Sequence, residues 1–334
     1  MTHVLQNIKY SIILALLCAG VSWGNDLPIG NETNPTTCAA HLHFFDDGFD
    51  FCDTCGCGSS GGSMGYGTGL NNYFVGLRYI GQQYRSRDGI FNDSPWITEN
   101  FNTLQAWGNI PVSKRTILNV IVPYQFHNRI LPDQTEQNIN GMGDISVLAF
   151  YNLLKAKPDS IVSITPEHYL QIGGGIKAPT GKYDKANNTG SVNPSFQVGN
   201  GSWDYIAAFN YGFTYRNWGI STIANYTFKT ENPKEYQFGN QLNYGINAFK
   251  TYYLSDLAMT PIIGVAGEHY EANKEYGQTV ANTKGQVFLG RVSLEASYDR
   301  FAFGLAGMIP ISQNLNNEKV ELKNRLSVYL NINL

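Results

Sequence analysis

The feature that most limits what this chain can fold into is a period-two alternation, repeated in segments of ten or more residues. In residues 325–334 (RLSVYLNINL), Leu326, Val328, Leu330, Ile332 and Leu334 share one face, and Arg325, Ser327, Tyr329, Asn331 and Asn333 share the other. A period of two means a strand with one apolar and one polar face. Residues 116–127 place Leu118, Val120, Val122, Tyr124 and Phe126 together, and residues 203–215 do the same with Tyr205, Ala207, Phe209, Tyr211 and Phe213. Residues 286–298 alternate Phe288, Gly290, Val292, Leu294, Ala296 and Tyr298 with residues that include Arg291 and Glu295.

The same reading predicts twelve strands, at 72–84, 99–110, 116–127, 143–154, 167–178, 203–214, 218–229, 237–249, 258–271, 285–298, 301–312 and 324–334. The ninth is the least marked, because residues 258–267 are apolar on both faces. The connections alternate too. Long polar ones fall at 85–98, 128–142, 179–202, 230–236, 272–284 and 313–323, and short ones at 111–115, 155–166, 215–217, 250–257 and 299–300. This is the layout of an all-β transmembrane antiparallel β-barrel, with long loops outside and short turns in the periplasm. An even strand count leaves both barrel ends in the periplasm, and closure pairs every backbone group that lipid would otherwise leave unsatisfied.

A soluble β-sandwich is the competing fold. Strands of ten or more residues exceed its usual length. Aromatic residues also recur near strand ends (Tyr73, Tyr124, Tyr151, Tyr205, Trp218, Phe228, Phe238, Tyr298, Phe301), as an interfacial girdle requires. Composition agrees with the barrel: 35 glycines, 21 tyrosines and 18 phenylalanines accompany only 15% charged residues, and mean hydropathy is −0.24. A net charge of −3 gives no reason to expect nucleic acid as a partner. Residues 1–24 read as a secretory signal, with Lys9 ahead of a short apolar run and small residues at Ser22 and Gly24. Cys18 follows Leu17, where lipoprotein processing would want a small residue.

Twelve strands about 4.8 Å apart, tilted by about 40°, give a backbone radius of about 12 Å. A lumen of that size is a narrow path or a packed interior. Arg78, Asp144, Lys177, Asp204, Arg291, Glu295 and Arg325 are expected to line it. They either pair across it or form a polar route for a solute. No histidine has the surroundings of a catalytic one. A barrel phospholipase would want His and Ser two residues apart, whereas His127, His168 and His269 are followed at that distance by Arg129, Leu170 and Glu271. Glu167–His168 and Glu268–His269 are adjacent pairs, which in a strand point to opposite faces. The chain is therefore expected not to be an enzyme.

Three stretches, residues 141–147 (GMGDISV), 176–184 (IKAPTGKYD) and 197–204 (QVGNGSWD), resemble the recurring motifs of an outer-membrane transporter family named for the meta-pathway of phenol degradation. That family is distantly similar to fatty-acid and aromatic-hydrocarbon channels. The resemblance spans most of residues 70–334. It implies a barrel that passes a small hydrophobic or aromatic molecule, and it carries over no catalytic residue. Leu334 departs from the usual aromatic C-terminus of such barrels. The motifs also have a local account. Gly141 and Gly143 let the chain turn into the fourth strand, and Pro179-Thr-Gly and Gly199-Asn-Gly bracket an external loop.

Ahead of the barrel, residues 25–69 hold Cys38, His41, His43, Cys52, Cys55 and Cys57, followed by a Gly/Ser-rich tether at 58–69. In an oxidising compartment four cysteines suit two disulfides. Thiolates and imidazoles at this spacing also suit one Cu(I) or Zn(II) ion. The expected organisation is a signal at 1–24, a Cys/His-rich periplasmic segment at 25–69 and a bacterial outer-membrane barrel at 70–334. The expected function is a transporter or channel for a small solute, a hydrophobic or aromatic compound or a transition metal. The alternative is a non-transporting barrel that anchors a periplasmic metal-binding tail. Membrane lipid, the solute and the barrel-assembly machinery are the expected partners.

Overall fold

The computed structural model describes residues 75–87, 94–154, 163–186, 192–254 and 257–332. Twelve antiparallel strands close into one barrel. Strand 1 is Val75–Arg87, strand 2 Trp96–Pro111 and strand 3 Thr116–Ile130. Strand 4 comes in two pieces, Glu136–Met142 and Ile145–Leu154. Strands 5 to 8 are Ser163–Ala178, Asp204–Arg216, Trp218–Lys229 and Gln241–Lys250. Strands 9 to 12 are Leu257–Tyr270, Gly285–Tyr298, Phe301–Leu315 and Val320–Ile332. Each strand pairs with its neighbours in sequence, and strand 1 closes on strand 12 with Val75 opposite Ile332 and Gln82 opposite Arg325. Both ends of the barrel therefore lie at the rim that carries the short turns.

Alternation sorts side chains between lipid and lumen. On strand 12, Leu326 and Leu330 are exposed while Arg325, Ser327, Tyr329 and Asn331 are buried. Strand 6 exposes Tyr205, Ala207 and Phe209 and buries Asp204, Ile206 and Asn210. The outer surface carries Ile172, Ile176, Ile220, Ile246, Ile263, Val292, Leu305 and Ile309, all exposed, which is stable only against hydrocarbon. Aromatics band its two edges. Tyr151, Trp218, Tyr252, Tyr298 and Phe301 stand at the short-turn end, and Trp203, Tyr205 and Phe228 at the other. Phe238, expected in that girdle, is instead buried, 5.0 Å from the ring of Tyr236. Tyr73 lies outside the described residues.

Two of the expected long connections are tight turns. Strands 3 and 4 run on to Ile130 and back from Glu136, and strands 11 and 12 run to Leu315 and back from Val320. In the second turn Asn316, Asn317 and Glu318 all adopt positive φ (49°, 54° and 65°). Beyond the apolar belt these extensions have water on their outer face, so their polar residues carry no alternation to read. The loop between strands 5 and 6 also departs from expectation. Its second half does not stand outside the barrel: from Asn193 to Ser202 every residue except Pro194 is buried.

Two apolar clusters fill the lumen. The larger one, toward the long-connection end, joins Tyr84, Phe101, Ile139, Leu289, Met308, Leu315 and Leu322 from the wall to Phe196 and Val198 from the infolded loop. The smaller one, nearer the turns, contains Trp107, Ile121, Leu148, Phe150, Ile206 and Ala302. In contrast, inward residues Ser221, Ile223, Thr260 and Ile262 on strands 7 and 9 are only half buried. Among the described residues, the interior is thus least filled beside strands 7 and 9, in their turnward halves.

Candidate functional site: an infolded loop latched inside the barrel

The three motifs, far apart in sequence, meet at one buried cluster. Asp144 sits in the break between the two pieces of strand 4, Lys177 faces inward near the end of strand 5, and Asp204 opens strand 6. Lys177 Nζ lies 2.5 Å from Asp204 Oδ2 and 3.7 Å from Asp144 Oδ2, and all three side chains are almost completely buried.

The remaining carboxylate lone pairs hold the loop. Asp144 accepts the backbone N–H of Gly181 (2.9 Å) and of Asn200 (3.0 Å). Asp204 accepts Asn200 Nδ2 (2.9 Å) and Ser202 Oγ (3.0 Å). The Thr180 hydroxyl donates to Gly143 O (2.9 Å) and accepts from Ile145 N (3.0 Å), so it bridges the break in strand 4. Because burial of an unpaired charge is costly, the trio is stable only while each carboxylate keeps these donors.

Glycine is required where the loop's two arms cross. Gly199 N donates to Lys182 O at 3.0 Å, and a Cβ on Gly199 would come within 2.6 Å of the Gly181 backbone. Gly201 has φ +72°, and a Cβ there would meet the ring of Tyr183 at 2.6 Å. Between these anchors Gln197 crosslinks the loop. It accepts from Lys185 N at 3.0 Å and donates to Lys185 O at 2.9 Å and Asn193 O at 3.0 Å.

The loop's tip is Phe196. Its ring centroid lies 6.0 Å from Phe101 and 6.4 Å from His127, and the Arg129 guanidinium sits 4.8 Å above it. Arg129 is held by Gln137 (2.7 Å) and lies 3.9 Å from Glu99. His127 is buried, with Nδ1 accepting Asn102 N–H (3.1 Å) and Nε2 against Gln125 Oε1 (2.7 Å). Both ring nitrogens are thus engaged in holding strands 2 and 3. His168 contacts Tyr211 OH (2.9 Å), and His168 and His269 are exposed in outward-facing positions.

The other residues singled out from sequence form a second set across the lumen. Arg78 donates to Gln105 Oε1 through Nη2 (2.5 Å) and Nε (3.2 Å). Glu295 accepts Tyr329 OH (2.8 Å). Arg325 reaches Glu268 through both Nη1 (2.7 Å) and Nη2 (3.2 Å), and Tyr270 OH donates to the same carboxylate (2.5 Å). Arg291 is buried on the same wall. The structure therefore gathers Asp144, Lys177 and Asp204 into one cluster and distributes Arg78, Arg291, Glu295 and Arg325 over strands 1, 10 and 12. Sequence reasoning missed Glu99, Arg129, Glu268 and Phe196. The phase of strand 9 could have revealed Glu268, which lies inward with Thr260 and Ala266, but that strand is apolar on both faces over most of its length. Cys38, His41, His43, Cys52, Cys55 and Cys57 lie outside the described residues. Among the described residues, no group of three or more His, Cys, Asp or Glu is placed to hold a metal ion.

A family model described as "MetA-pathway of phenol degradation" matches residues 97–314, more than half of the chain. The COG4313 outer membrane channel from Pseudomonas putida F1 superposes with a TM-score of 0.56 at 13% identity, covering 80% of this chain and 97% of that one. The beta domain of the Bordetella autotransporter BrkA gives 0.47 at 8% identity (79% and 100% covered), and outer membrane phospholipase A from Escherichia coli gives 0.34 at 10% (77% and 90%). No curated protein matches the sequence. With a closed twelve-stranded barrel of outer-membrane channel type and a family match over most of it, the chain belongs to the family described as MetA-pathway of phenol degradation.

Proposed function

We propose that this protein is an outer-membrane channel for a small hydrophobic or aromatic solute, with the infolded loop 192–203 as its constriction. The carrying observation is the apolar cluster inside the barrel at the long-connection end, in which Phe196 and Val198 of the loop pack on Phe101, Leu289, Met308 and Leu322. Apolar groups turned toward a lumen, rather than toward lipid, suit a guest that is itself apolar. Below the cluster the wall changes character. Asn152, Gln171 and Asn210 form a chain of side-chain hydrogen bonds there. A solute leaving the apolar region would pass this uncharged polar patch on one side and the charged wall of strands 1, 10 and 12 on the other.

In this reading the barrel sits in the bacterial outer membrane with its turns in the periplasm, is inserted by the barrel-assembly machinery, and performs no catalysis. Uptake of a labelled aromatic compound by Gram-negative cells expressing the chain tests it, because their lipopolysaccharide leaflet resists apolar solutes. Uptake above that of cells with empty vector supports the channel. Equal uptake across a panel of aromatic compounds contradicts it. The cysteine and histidine spacing in residues 38–57 favours a second reading, a barrel that carries a periplasmic Cu(I)- or Zn(II)-binding tail. Metal bound to the full chain together with no solute flux would favour it.

A further inference from the structure

The wall opposite the latch carries one cation more than its anions balance. In its middle, Arg78, Arg291 and Arg325 face Glu268 and Glu295, three positive charges against two negative. Arg325 takes Glu268 in a two-pronged pair, and Glu295, which accepts from Tyr329, also attracts Arg291. Arg291 is 8% exposed, and its Nε has no hydrogen-bond partner. Two residues along the same inward face, Ser293 is 5% exposed, and its Oγ also has no partner. Burial of such groups is unfavourable unless something completes their hydrogen bonds.

Strand 11 sets Ala306 opposite Ser293, and Gly304, covered by the Tyr329 ring, opposite Glu295. On the other side Arg291 pairs with Gly264 and Ser293 with Ile262, and both partners are half buried on the least filled side of the lumen. Met308, opposite Arg291, and Ile262 give the surroundings an apolar character. A guanidinium edge offers two parallel N–H donors that match the two oxygens of a carboxylate, and a nearby hydroxyl adds a third donor.

We propose that Arg291 and Ser293 form a carboxylate-binding site on the lumen wall, selective for a small monocarboxylate with an apolar body. The three arginines and two glutamates of this wall leave room for one further negative charge rather than several, and the apolar rim suits an aromatic or short aliphatic acid better than a polyanion. The site deepens the channel reading by naming the polar group its apolar solute would carry, and so rests on that reading for its physiological role.

The test is equilibrium binding of labelled benzoate to the full-length protein in detergent, with folding verified by heat-modifiable gel mobility. Wild-type protein should bind benzoate, Arg291→Met should weaken binding at least tenfold, Arg291→Lys should restore part of it, and Ser293→Ala should weaken it about threefold. Competing benzamide, which lacks the charge, should displace little. Inorganic phosphate displacing benzoate at equal concentration would overturn the assigned class. Unchanged binding in Arg291→Met, or no benzoate binding by wild type, would overturn the site. Should Arg291→Met fail to fold, Ser293→Ala decides, and unaltered affinity there overturns the proposal. Proteoliposome flux separates the two readings. Benzoate bound through Arg291 but not transported leaves the site standing without the channel, and transport indifferent to Arg291 leaves the channel standing without the site.

Discussion

Lys177→Met removes the only cation of the buried latch while leaving both carboxylates in place. At 2.5 Å from Asp204 and an effective dielectric of about 20, the lost Coulomb attraction is about 7 kcal/mol, and the 3.7 Å contact with Asp144 adds about 4.5 kcal/mol. Desolvating the ammonium offsets much of that, so the measured loss should resemble the ~3–5 kcal/mol found when one partner of a buried pair is deleted. The lower end applies here, because Asp144 and Asp204 each retain two hydrogen-bond donors from residues 180–202. Urea titration of the detergent-folded barrel, followed by gel mobility, measures this. The triple variant Asp144→Asn, Lys177→Met, Asp204→Asn should recover most of the loss, since no uncompensated charge remains. Wild-type stability in Lys177→Met, or a triple variant as unstable as the single one, would refute the view that this trio is a charge-balanced anchor.

Other positions test other parts of the account. Gly199→Ala should displace the loop, because the new methyl would sit 2.6 Å from the Gly181 backbone, and ion conductance in planar bilayers should rise. Val120→Arg, facing lipid between Gly108 and Val147, should cost about 2–4 kcal/mol in folding into bilayers, and an unaltered refolding titration would show the register of strand 3 to be wrong. If residues 38–57 hold a metal, thiol counting and metal analysis of the full-length protein should find about one Cu(I) or Zn(II) ion, removed by changing Cys55 and Cys57 together to Ser. Four oxidised cysteines without an ion would leave disulfides as the account of that segment.

What could be read from the sequence follows the range of the forces involved. Alternation is local, and it places Leu326 outward and Arg325 inward without any knowledge of their neighbours. The in–out sorting of Asp144, Lys177 and Asp204 is equally local, but their meeting is not. It depends on the break in strand 4 and on register across strands 4, 5 and 6, where Ser146 pairs with Lys177 and Lys177 with Asp204. The inward path of residues 193–202 left no periodic trace, because a loop anchored by backbone donors, Gln197 and glycine contacts needs no repeating pattern. Phe238 shows the converse error: an aromatic near a strand end satisfies the girdle pattern, yet it is buried against Tyr236, with Lys229 Nζ 5.8 Å from its ring.

The central claim is that the lumen is a path and the infolded loop is what closes it. Single-channel recording in planar bilayers, comparing wild type with a variant in which residues 193–200 are replaced by a short Gly/Ser linker, addresses that claim most directly. The account predicts small or rare currents for wild type and large, stepwise currents for the variant. A variant that folds to the same heat-modifiable barrel yet conducts no more than wild type would mean that the remaining interior is itself packed shut, and the channel account would be wrong.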